Sequence, residues 1–600
     1  MNYFVTGNEY VSLPTIREDN AAVESITFLH MGAKGMIELA GTSDVPLLIP
    51  VVYFNGKEIP FEDIRWERRH YWIPQFSARA GHLVIEGVYL APIGERGFGI
   101  RLAVSGDTEE INFGIKGCWG KTFHSINESK LIDTPKYAYE SGWNHAFVMD
   151  QRAGLPLLAF APLYTEHPEK CSVEWYYAQS GDDITFQFTE HADKNREFVL
   201  WFGLGFEEVA AATSAKEMFR HGWDVKIKDT EDWLATRERT VGDAALDDIL
   251  NLNLFFSYFF GGGETLDTEE FVLVTSRSPR YYVSAAYWDR DSLLWSFPAI
   301  LLADPETARQ MLNYVFTRQI RNVGIHSRYI DGTVLEPGFE LDELCAPVIA
   351  LARYVEETDD HSILKNEAVR AGIEIILKKL ASKRHPEIGL YETFLQPTDD
   401  MRTYPYLTYN NVLVWYILKK LSTLYPEYEH LEIMAEQVKS AILQHLIQEK
   451  NGRAMFVWSS DLEGGWDIYD EPPGSLLLLP FYGFSELEDP VWKNTTEVIR
   501  HRDYEFSFAD YPIAEIGCRH APYPWVLSIA NSLLSGEREK AKRHLMLCRF
   551  DNGIACESVD PVTGESRTGN AFATCAGFLA FAIDTAFDGK RVNESEEVSS

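Results

Sequence analysis

The first part of the chain, up to about residue 230, consists of short stretches in which apolar and polar residues alternate. Examples of these stretches are 82–94, 109–119 and 196–205, and turn residues separate one stretch from the next. A period of two indicates half-buried strands, and many short strands at this spacing are typical of antiparallel sheets packed face to face. The pattern predicts an N-terminal antiparallel β-sandwich over residues 1–230.

The second part of the chain changes to a helical period. Apolar residues recur at helical spacing at 246–260, 292–303, 305–320, 345–357, 361–382, 409–425, 428–447, 490–501, 524–536, 537–550 and 571–587. Helices in pairs, joined by aromatic and acidic loops, predict a C-terminal (α/α)6 helical barrel over 244–587. A helical solenoid is the alternative, but it requires a regular repeat that the sequence lacks. The charged stretch at 231–243 is expected to form a helical linker, and the polar end at 588–600 to be disordered.

Composition and charge narrow the range of partners. The 600 residues carry a formal net charge of −35, and 46% of them are apolar. The length and the apolar content indicate a folded protein of more than one domain. The negative charge repels the phosphates of nucleic acids and the surface of anionic membranes. We therefore expect no nucleic acid and no membrane as partner, whereas a neutral polar ligand fits. The oligomeric state does not follow from the sequence.

The N-terminus and the cysteines bear on the location of the protein. The opening MNYFVTGNEYVSLP has no basic segment followed by an apolar core, and no stretch stays apolar for the roughly 18 residues of a membrane span. The seven cysteines include no CxxC pair, which indicates reduced thiols. Both features predict a cytoplasmic protein.

Aromatic and acidic residues occur together in several loops of the helical part. Aromatic faces stack on the apolar face of a sugar ring, while carboxylates and arginine form paired hydrogen bonds with its hydroxyl groups. For the segment AAYWDRDSLLW (285–295) alone, the alternative is a charged cap with a salt bridge at the start of a helix. Several such loops on one helical framework favour a sugar site. The candidate substrate-binding residues are Trp288, Asp289, Arg290, Asp291, Tyr404, Tyr406, Asn410, Trp466, Asp470 and Glu471.

Two further stretches supply candidate catalytic carboxyl groups, of which glycoside hydrolysis normally needs two, one protonated and one ionised. EPGFELDELCAPV (336–348) places Glu340, Asp342 and Glu343 before an apolar helix, and Pro347 fits near the first turn of that helix. Crowded carboxylates raise one another's pKa, which suits an acid; the alternative is that they only cap the helix and favour its dipole. Glu557 follows the apolar IAC and precedes a turn, with a surface-loop glutamate as its alternative.

These stretches resemble known families. WDRDS resembles the substrate-binding loop of glucoamylases, while ELDELCAPV, YDEPPGSLLLLPFYGF, PYPWVLS and CESVDP are similar, in that order, to stretches of the metal-independent inverting exo-α-mannosidases of glycoside hydrolase family 125. GIACESVDPVTGE is more distantly similar to a region of processing glucosidases, trehalases and glycogen debranching enzymes. The similarity covers roughly 280–585, and the β-rich first part resembles the N-terminal sandwich of bacterial and archaeal glucoamylase-like enzymes. The motifs are more specific for the class of inverting (α/α)6 glycosidases than for the sugar that such an enzyme binds.

The resemblance implies a role for each carboxyl group. Asp342 is the expected general acid and Glu557 the general base, with Glu343 as a rival for the acid. Glu340 and Glu343 then tune Asp342 or bind hydroxyl groups, and WDRDS holds the terminal sugar in the subsite next to the scissile bond. The predicted substrate-binding set also includes His520 and Trp525.

The leading hypothesis is an exo-acting inverting α-glycosidase, of α-glucosidase or α-mannosidase type, that hydrolyses terminal sugars from oligosaccharides or small glycosides. An inverting phosphorylase on the same barrel is a rival, with HSR (326–328) and CRHAP (518–522) as candidate phosphate ligands, although Glu557 favours water. A non-catalytic carbohydrate-binding protein is the third alternative, and it would need neither Asp342 nor Glu557. Because the sequence contains no HExxH and no paired cysteines, we expect no metal and no cofactor.

Overall fold

The structure is a computed structural model, and it describes residues 2–107, 109–152, 157–166 and 173–592. The chain divides into two compact units. The first unit contains Met1–Glu238, Phe259–Val272 and Ser276–Ala285, and the second contains Arg239–Tyr258, Leu273–Thr275 and Ala286–Ser600. Two short segments from the helical part of the sequence therefore belong to the β-rich unit.

The strands are short, as the alternating pattern predicts. In chain order they are β1 (Tyr3–Gly7), β2 (Ser12–Arg17), β3 (Ser25–His30), β4 (Gly35–Ala40), β5 (Leu48–Phe54), β6 (Lys57–Ile59), β7 (Glu62–Arg69), β8 (Ile73–Ala80), β9 (Leu83–Leu90), β10 (Gly97–Ser105), β11 (Ile111–Trp119), β12 (Lys121–Ser125), β13 (Ser129–Leu131), β14 (Lys136–Glu140), β15 (Phe147–Gln151), β16 (Leu158–Leu163), β17 (Glu174–Ser180), β18 (Asp183–His191), β19 (Glu197–Gly205), β20 (Arg239–Thr240), β21 (Gly262–Glu264), β22 (Phe271–Leu273), β23 (Ile325–Arg328), β24 (Val334–Phe339), β25 (Tyr406–Leu407), β26 (Ile447–Lys450), β27 (Arg453–Phe456), β28 (Ser459–Ser460), β29 (Trp466–Asp467), β30 (Ser558–Val559), β31 (Ser566–Thr568) and β32 (Lys590–Arg591).

Three antiparallel sheets form most of the first unit. Their strand orders are β1-β2-β3-β4-β12-β13, β14-β15-β16-β19-β10-β9-β8-β7 and β17-β18-β11-β5-β6. Side chains from all three sheets pack into one apolar core, among them Phe28, Ile85, Phe98 and Phe113. Each large apolar side chain buried in this way contributes about 1.5–3 kcal/mol, so the alternation of the sequence decides which face of each strand lies inside.

Helices dominate the remainder of the chain. They are α1 (Glu208–His221), α2 (Trp223–Ala235), α3 (Ala244–Phe260), α4 (Phe297–Ala303), α5 (Pro305–Thr317), α6 (Leu341–Thr358), α7 (Glu367–Ala381), α8 (Thr408–Leu424), α9 (Leu431–His445), α10 (Pro490–Ile499), α11 (Val526–Leu534), α12 (Arg538–Leu547) and α13 (Ala573–Ala586), with a π-helix at Arg290–Ser296 directly before α4. Within the described residues, α3 to α13 coincide with the eleven helical segments of the sequence. The protein is therefore a mixed α and β protein with several antiparallel sheets.

Neighbouring helices in the second unit follow one another in a ring. The π-helix packs on α6 and on α13, α6 packs on α8, and α11 packs on α13. The 3₁₀ turns at Pro472–Gly474 and Leu476–Leu478 lie against α11, and Gly474 lies close to Tyr409 of α8. The π-helix, α6, α8, the 3₁₀ turns, α11 and α13 thus form a closed series in which each element contacts the next.

The chain differs from expectation at both ends of the helical part. The predicted linker at 231–243 begins inside α2, which ends at Ala235 in the first unit, and continues into β20. β20 pairs with β32, and the Arg239 guanidinium donates to the Asp584 carboxylate and to the Gly589 carbonyl. Residues 588–592, which the sequence predicted to be part of a disordered end, therefore include a short paired strand; residues 593–600 lie outside the described residues.

Two global features concern membranes and thiols. No helix among the described residues is long and apolar enough to cross a membrane. Cys171 lies outside the described ranges. The cysteines that the structure describes carry free thiols: Cys118, Cys345, Cys518, Cys548, Cys556 and Cys575.

Candidate active site

The WDRDS segment leads into the π-helix rather than into an ordinary α-helix. Asp289 is the residue before the π-helix, and its side chain makes no capping hydrogen bond. Its carboxylate instead accepts from the Tyr287 hydroxyl at 2.6 Å and pairs with the Arg328 guanidinium. The capping interpretation of this segment is therefore wrong. A π-helical turn is a rare conformation that occurs most often at functional sites.

Arg290 is the centre of a buried cluster of carboxyl groups. Its side chain is 1% exposed, and its Nη1 atom donates to Glu340 at 2.7 Å and to Asp342 at 2.9 Å. Its Nη2 atom lies 2.5 Å from Asp399 and 3.5 Å from Glu343. Four carboxyl groups thus surround one guanidinium, which offers donors in a rigid planar fork.

Glu343 supports the turn that presents this arginine. Its carboxylate accepts from the backbone amide of Arg290 at 3.1 Å and from the backbone amide of Asp289. The Arg328 guanidinium lies 3.7 Å away. Both carboxylate oxygens of Glu343 are therefore engaged by groups of the protein.

Asp342 has a different environment from its neighbour in the sequence. One carboxylate oxygen accepts from Arg290, whereas Oδ1 is buried and has no hydrogen-bond partner among the described residues. Burial raises the pKa of Asp342, against the lowering effect of Arg290 and of the first amides of α6. Buried polar atoms in native proteins nearly always have a partner, so an open oxygen of this kind points to a ligand contact.

The first turn of α6 shows why these groups are concentrated here. Glu340 is the residue before the helix and has an extended backbone, and Asp342 and Glu343 lie in the first turn, where the helix dipole favours negative charge. Pro347, which the sequence placed near the first turn of this helix, is the seventh residue of α6. Because proline has no N–H group, the Glu343 carbonyl lacks its usual intrahelical donor.

His326 and Asp399 complete the cluster on the side of Glu340. His326 Nδ1 lies 2.6 Å from Glu340 Oε1 and 3.4 Å from Asp399 Oδ1. Burial lowers the pKa of His326, but Asp399 and Glu340 outweigh it and raise the value to about 11. Burial raises the pKa of Asp399, but Arg290 and His326 bring it down to about 2. Burial raises the pKa of Glu340 to about 8, despite Arg290.

The same three side chains also have the spacing of metal ligands. Ligand atoms of His326, Glu340 and Asp399 all lie within 4.8 Å of one another. Arg290 already donates to Glu340 and Asp399, and a protonated His326 donates to Glu340. A divalent cation at this position would have to displace the guanidinium and the imidazole proton.

Glu557 lies at the start of a short hairpin. Its backbone N–H donates to the Thr568 and Gly569 carbonyls at 3.1 Å each, and its carbonyl accepts from the Val526 amide at 3.0 Å. These bonds fix the backbone between β30 and the start of α11. The Glu557 side chain is buried, and the His520 imidazole lies 3.8 Å from its carboxylate.

Three other predicted sugar-binding carboxylates bind protein groups. Asp289 does so as described above. Asp470 accepts from the Ser475 hydroxyl and from the Leu476 amide, each at 2.7 Å. Glu471 accepts from Gln396 at 2.8 Å and from the Thr398 amide and hydroxyl at 2.9 Å each. All three carboxylates shape loops, and their predicted contacts with sugar remain predictions.

Two predicted aromatic residues meet on a small sheet. Tyr406 of β25 and Trp466 of β29 both pair with Ser460 of β28, so they occupy one row across the sheet. Cross-strand partners in one row share a face of the sheet, so the two rings lie on the same side. Tyr404, two residues before Tyr406, is half-buried.

The remaining predicted residues are buried. Trp525 donates from its indole N–H to the Ala521 carbonyl at 2.9 Å and forms a β-bridge with Ser558, next to Glu557. Asp291 accepts from the Thr574 hydroxyl at 2.9 Å, and burial raises its pKa to about 7, despite Arg290. The following atoms have no hydrogen-bond partner in the described part of the chain: Trp288 Nε1, Arg290 Nε, Asn410 Oδ1 and Asn410 Nδ2.

Sequence reasoning missed several residues of the cluster. His326 and Arg328 were considered only as phosphate ligands, yet both pair with carboxylates in the structure. Asp399 and Asp400 were not considered. The adjacent acids in QPTDDMR (396–402) were the one available signal, and nothing local to that loop indicates that Arg290 lies beside it.

Part of the chain is similar to a known protein family. Residues 381–583, roughly a third of the chain, match the family model described as metal-independent alpha-mannosidase (GH125). The match confirms the resemblance inferred from the sequence, and the family it describes is one of glycoside hydrolases. The matched region includes Glu557, His520 and Asp399, but not Asp342 or the WDRDS segment. No curated protein sequence matches the chain.

One solved structure shares the fold over nearly the whole chain, and a second aligns with part of it. A bacterial glucoamylase complexed with acarbose aligns with a TM-score of 0.65 at 12% identity, over 98% of this chain and 95% of that chain. A Streptococcus pneumoniae metal-independent α-mannosidase, in a non-productive complex with alpha-1,6-mannobiose, aligns with a TM-score of 0.49 at 18% identity, over 57% of this chain and 94% of that chain. At these identities the likeness to the glucoamylase shows a common fold.

Proposed function

We propose that this glycoside hydrolase is an exo-acting inverting α-glycosidase that removes terminal sugars from oligosaccharides or small glycosides. In this proposal the first unit is a β-sandwich and the second an (α/α)6 barrel. The ring of contacts from the π-helix through α6, α8, α11 and α13 supports the barrel. The three antiparallel sheets with one core support the sandwich.

The open oxygen of Asp342 is the observation that carries the catalytic assignment. A general acid must present a proton to the leaving oxygen, and Asp342 Oδ1 is a buried carboxylate oxygen of the Arg290 cluster that has no hydrogen-bond partner in the described chain. The raised pKa of Asp342 favours the protonated form that this step requires. Glu343 is unsuited to the role because backbone amides engage both its oxygens.

Glu557 is the proposed base because its environment differs from that of Asp342. Its backbone is fixed by three hydrogen bonds, and the His520 imidazole lies 3.8 Å from its carboxylate. A protonated imidazole at this distance attracts the carboxylate that is to accept a proton from water. Attack of this water on the face opposite to the departing oxygen inverts the anomeric centre.

Hydrolysis by water fits the site better than phosphorolysis. The rival reaction requires uncommitted cations for phosphate. Arg328 pairs with Asp289, His326 pairs with Glu340, and the Arg519 guanidinium lies over the Tyr469 ring at 5.0 Å. Each of these three cations already has a partner within the protein.

Proton NMR of a reaction in progress tests the proposal. An α-mannoside such as α-1,6-mannobiose and an α-glucoside such as maltose cover the two sugar types of the related proteins. We expect the β-anomer of the released sugar to appear first, before mutarotation. An initial α-product would show a retaining mechanism and overturn the roles of Asp342 and Glu557.

Single substitutions complete the test. Asp342→Asn and Glu557→Gln should fold normally and lose roughly 10²–10⁴-fold in turnover, because each removes a proton-transfer group. Glu515→Gln is the matched control, since Glu515 is also buried but binds Ser528, Ser532 and His544. Full turnover in Asp342→Asn or Glu557→Gln would contradict the assignment of that residue.

A further inference from the structure

Residues 396–402, the QPTDDMR loop, carry two adjacent aspartates that contact two different groups of the candidate site. Asp399 contacts the Arg290 cluster, and Asp400 contacts His520 beside Glu557. A single short loop therefore reaches the partner of the proposed acid and the neighbour of the proposed base.

Glu471 fixes the beginning of this loop. It accepts hydrogen bonds from the side chain of Gln396 and from the amide and hydroxyl of Thr398. Burial raises the pKa of Glu471 well above its usual range, although the donors of Thr398 lower it. A buried carboxyl group with three donors costs much to rearrange, so the loop has one defined position.

Asp399 has an unusual backbone conformation, and its side chain has different partners from that of Asp400. Asp399 has a φ of +68°, in the left-handed region that residues with a side chain adopt at a cost of about 1 kcal/mol. Its side chain pairs with Arg290 and His326, whereas that of Asp400 accepts from the Thr398 hydroxyl and contacts His520. The strained residue thus lies where consecutive side chains contact different partners.

His520 lies between Asp400 and Glu557. Its Nδ1 atom is 3.3 Å from Asp400 Oδ2, and its Nε2 atom is 3.8 Å from Glu557 Oε1. When Nδ1 and Nε2 both carry protons, one nitrogen faces each carboxylate. The imidazole side chain is 31% exposed, so protons exchange with solvent.

We propose that Asp400 and His520 are positioning residues for Glu557, with Asp400 orienting the imidazole that holds the Glu557 carboxylate in place. The inference rests on the proposed function for the role of Glu557. It assigns His520 to the base, whereas the sequence assigned it to substrate binding.

The charged groups around His520 agree with this role. Asp400, Glu557 and Asp399 face it, and the Trp525 ring lies 6.2 Å away. The hydrogen bond of Asp400 raises the pKa of His520, burial lowers it, and Glu557 raises it further, with a net rise. His520 is therefore protonated to higher pH than an ordinary histidine, and it loses this charge as the pH rises through its raised pKa.

The first experiment needs no substrate. NMR of protein labelled with ¹³Cε1-histidine follows the titration of the 16 histidines, and the His520 signal is the one that His520→Gln removes. We expect Asp400→Asn and Glu557→Gln each to move the His520 titration to lower pH. Asp359→Asn is the matched control, because Asp359 forms an exposed pair with His361 at 3.1 Å. An unchanged His520 titration in Asp400→Asn would overturn the proposal.

The second experiment measures kcat/KM against pH on a hydrolysed α-glycoside. We expect Asp400→Asn to lower kcat about 3- to 10-fold near neutral pH with little change in KM, and to move the alkaline limb to lower pH. In a His520→Gln background Asp400→Asn should have no further effect, because Asp400 acts through His520. A rise in KM alone in both variants would assign His520 to the sugar and overturn the proposal.

Failure of the proposed function is a separate result. A wild-type protein that hydrolyses no α-glycoside would refute the glycosidase assignment, while the NMR titration still decides whether Asp400, His520 and Glu557 are coupled.

Discussion

The start of α6 and the hairpin that carries Glu557 both bury carboxyl groups, but they balance the charge differently. At α6, the Arg290 guanidinium is surrounded by four carboxyl groups and is almost completely buried. At the hairpin, backbone hydrogen bonds fix Glu557, and the partly exposed His520 imidazole is its neighbour. Burial in the cluster raises the pKa of Asp342, which suits an acid, whereas Glu557 lies beside an imidazole and outside the cluster, so the two environments suit different proton-transfer roles.

The comparison predicts that the two carboxyl groups respond differently to the leaving group. Asp342→Asn should lose about 10³-fold in turnover on a disaccharide but only about 10-fold on a dinitrophenyl α-glycoside, whose leaving group departs without a proton. Glu557→Gln should lose about 10³-fold on both, because water still needs a base. Steady-state kinetics on the two substrates measures this, and equal losses for both variants on both substrates would remove the distinction between acid and base.

The free energy of unfolding should depend more strongly on Arg290, the cation of the α6 region, than on His520, the imidazole of the hairpin region. Arg290→Met leaves several buried carboxyl groups without a partner and should lower the free energy of unfolding by about 3–5 kcal/mol. His520→Gln should lower it by less than about 1 kcal/mol, because its ion pairs are partly exposed. Urea unfolding measures both values. A similar loss in the two variants would show that the Arg290 cluster is not the more tightly coupled region.

The pH dependence of stability provides a smaller test on the α6 side. The pKa of Asp291 is about 7 in the folded protein, above its ordinary value, so over pH 5–7 the folded state binds a proton that the unfolded state does not. Stability should therefore fall as pH rises, by roughly 1.4 kcal/mol for each pH unit from this group alone. Asp291→Asn should flatten the curve of unfolding free energy over this range. An unchanged curve would show that Asp291 titrates normally.

Metal removal is expected to have the smallest effect. Arg290 and His326 already occupy the donor positions among Glu340 and Asp399, so EDTA should leave hydrolysis unchanged. Loss of turnover with EDTA, restored by added zinc or calcium, would show that a cation replaces these side-chain contacts. Activity before and after dialysis against the chelator measures this.

Most of the secondary structure could be predicted from the sequence because its signals are local. A period of two marked the strands of the first unit, and helical spacing located α3 to α13 to within a few residues in the described chain. The choice of Asp342, Glu557 and WDRDS also came from the sequence, through local resemblance to known motifs. The cytoplasmic location, the bound sugar and the roles of these residues remain predictions.

Tertiary structure alone decided which side chains meet. Asp342 and Glu343 are adjacent in sequence, and only the fold brings the Asp289 and Arg290 amides onto Glu343 while leaving Asp342 Oδ1 open. Asp399 and Arg290 are 109 residues apart, so no sequence period connects them. Local patterns determine elements because backbone geometry repeats along the chain, whereas burial and charge pairing depend on contacts between distant segments, which arise only when the chain has folded.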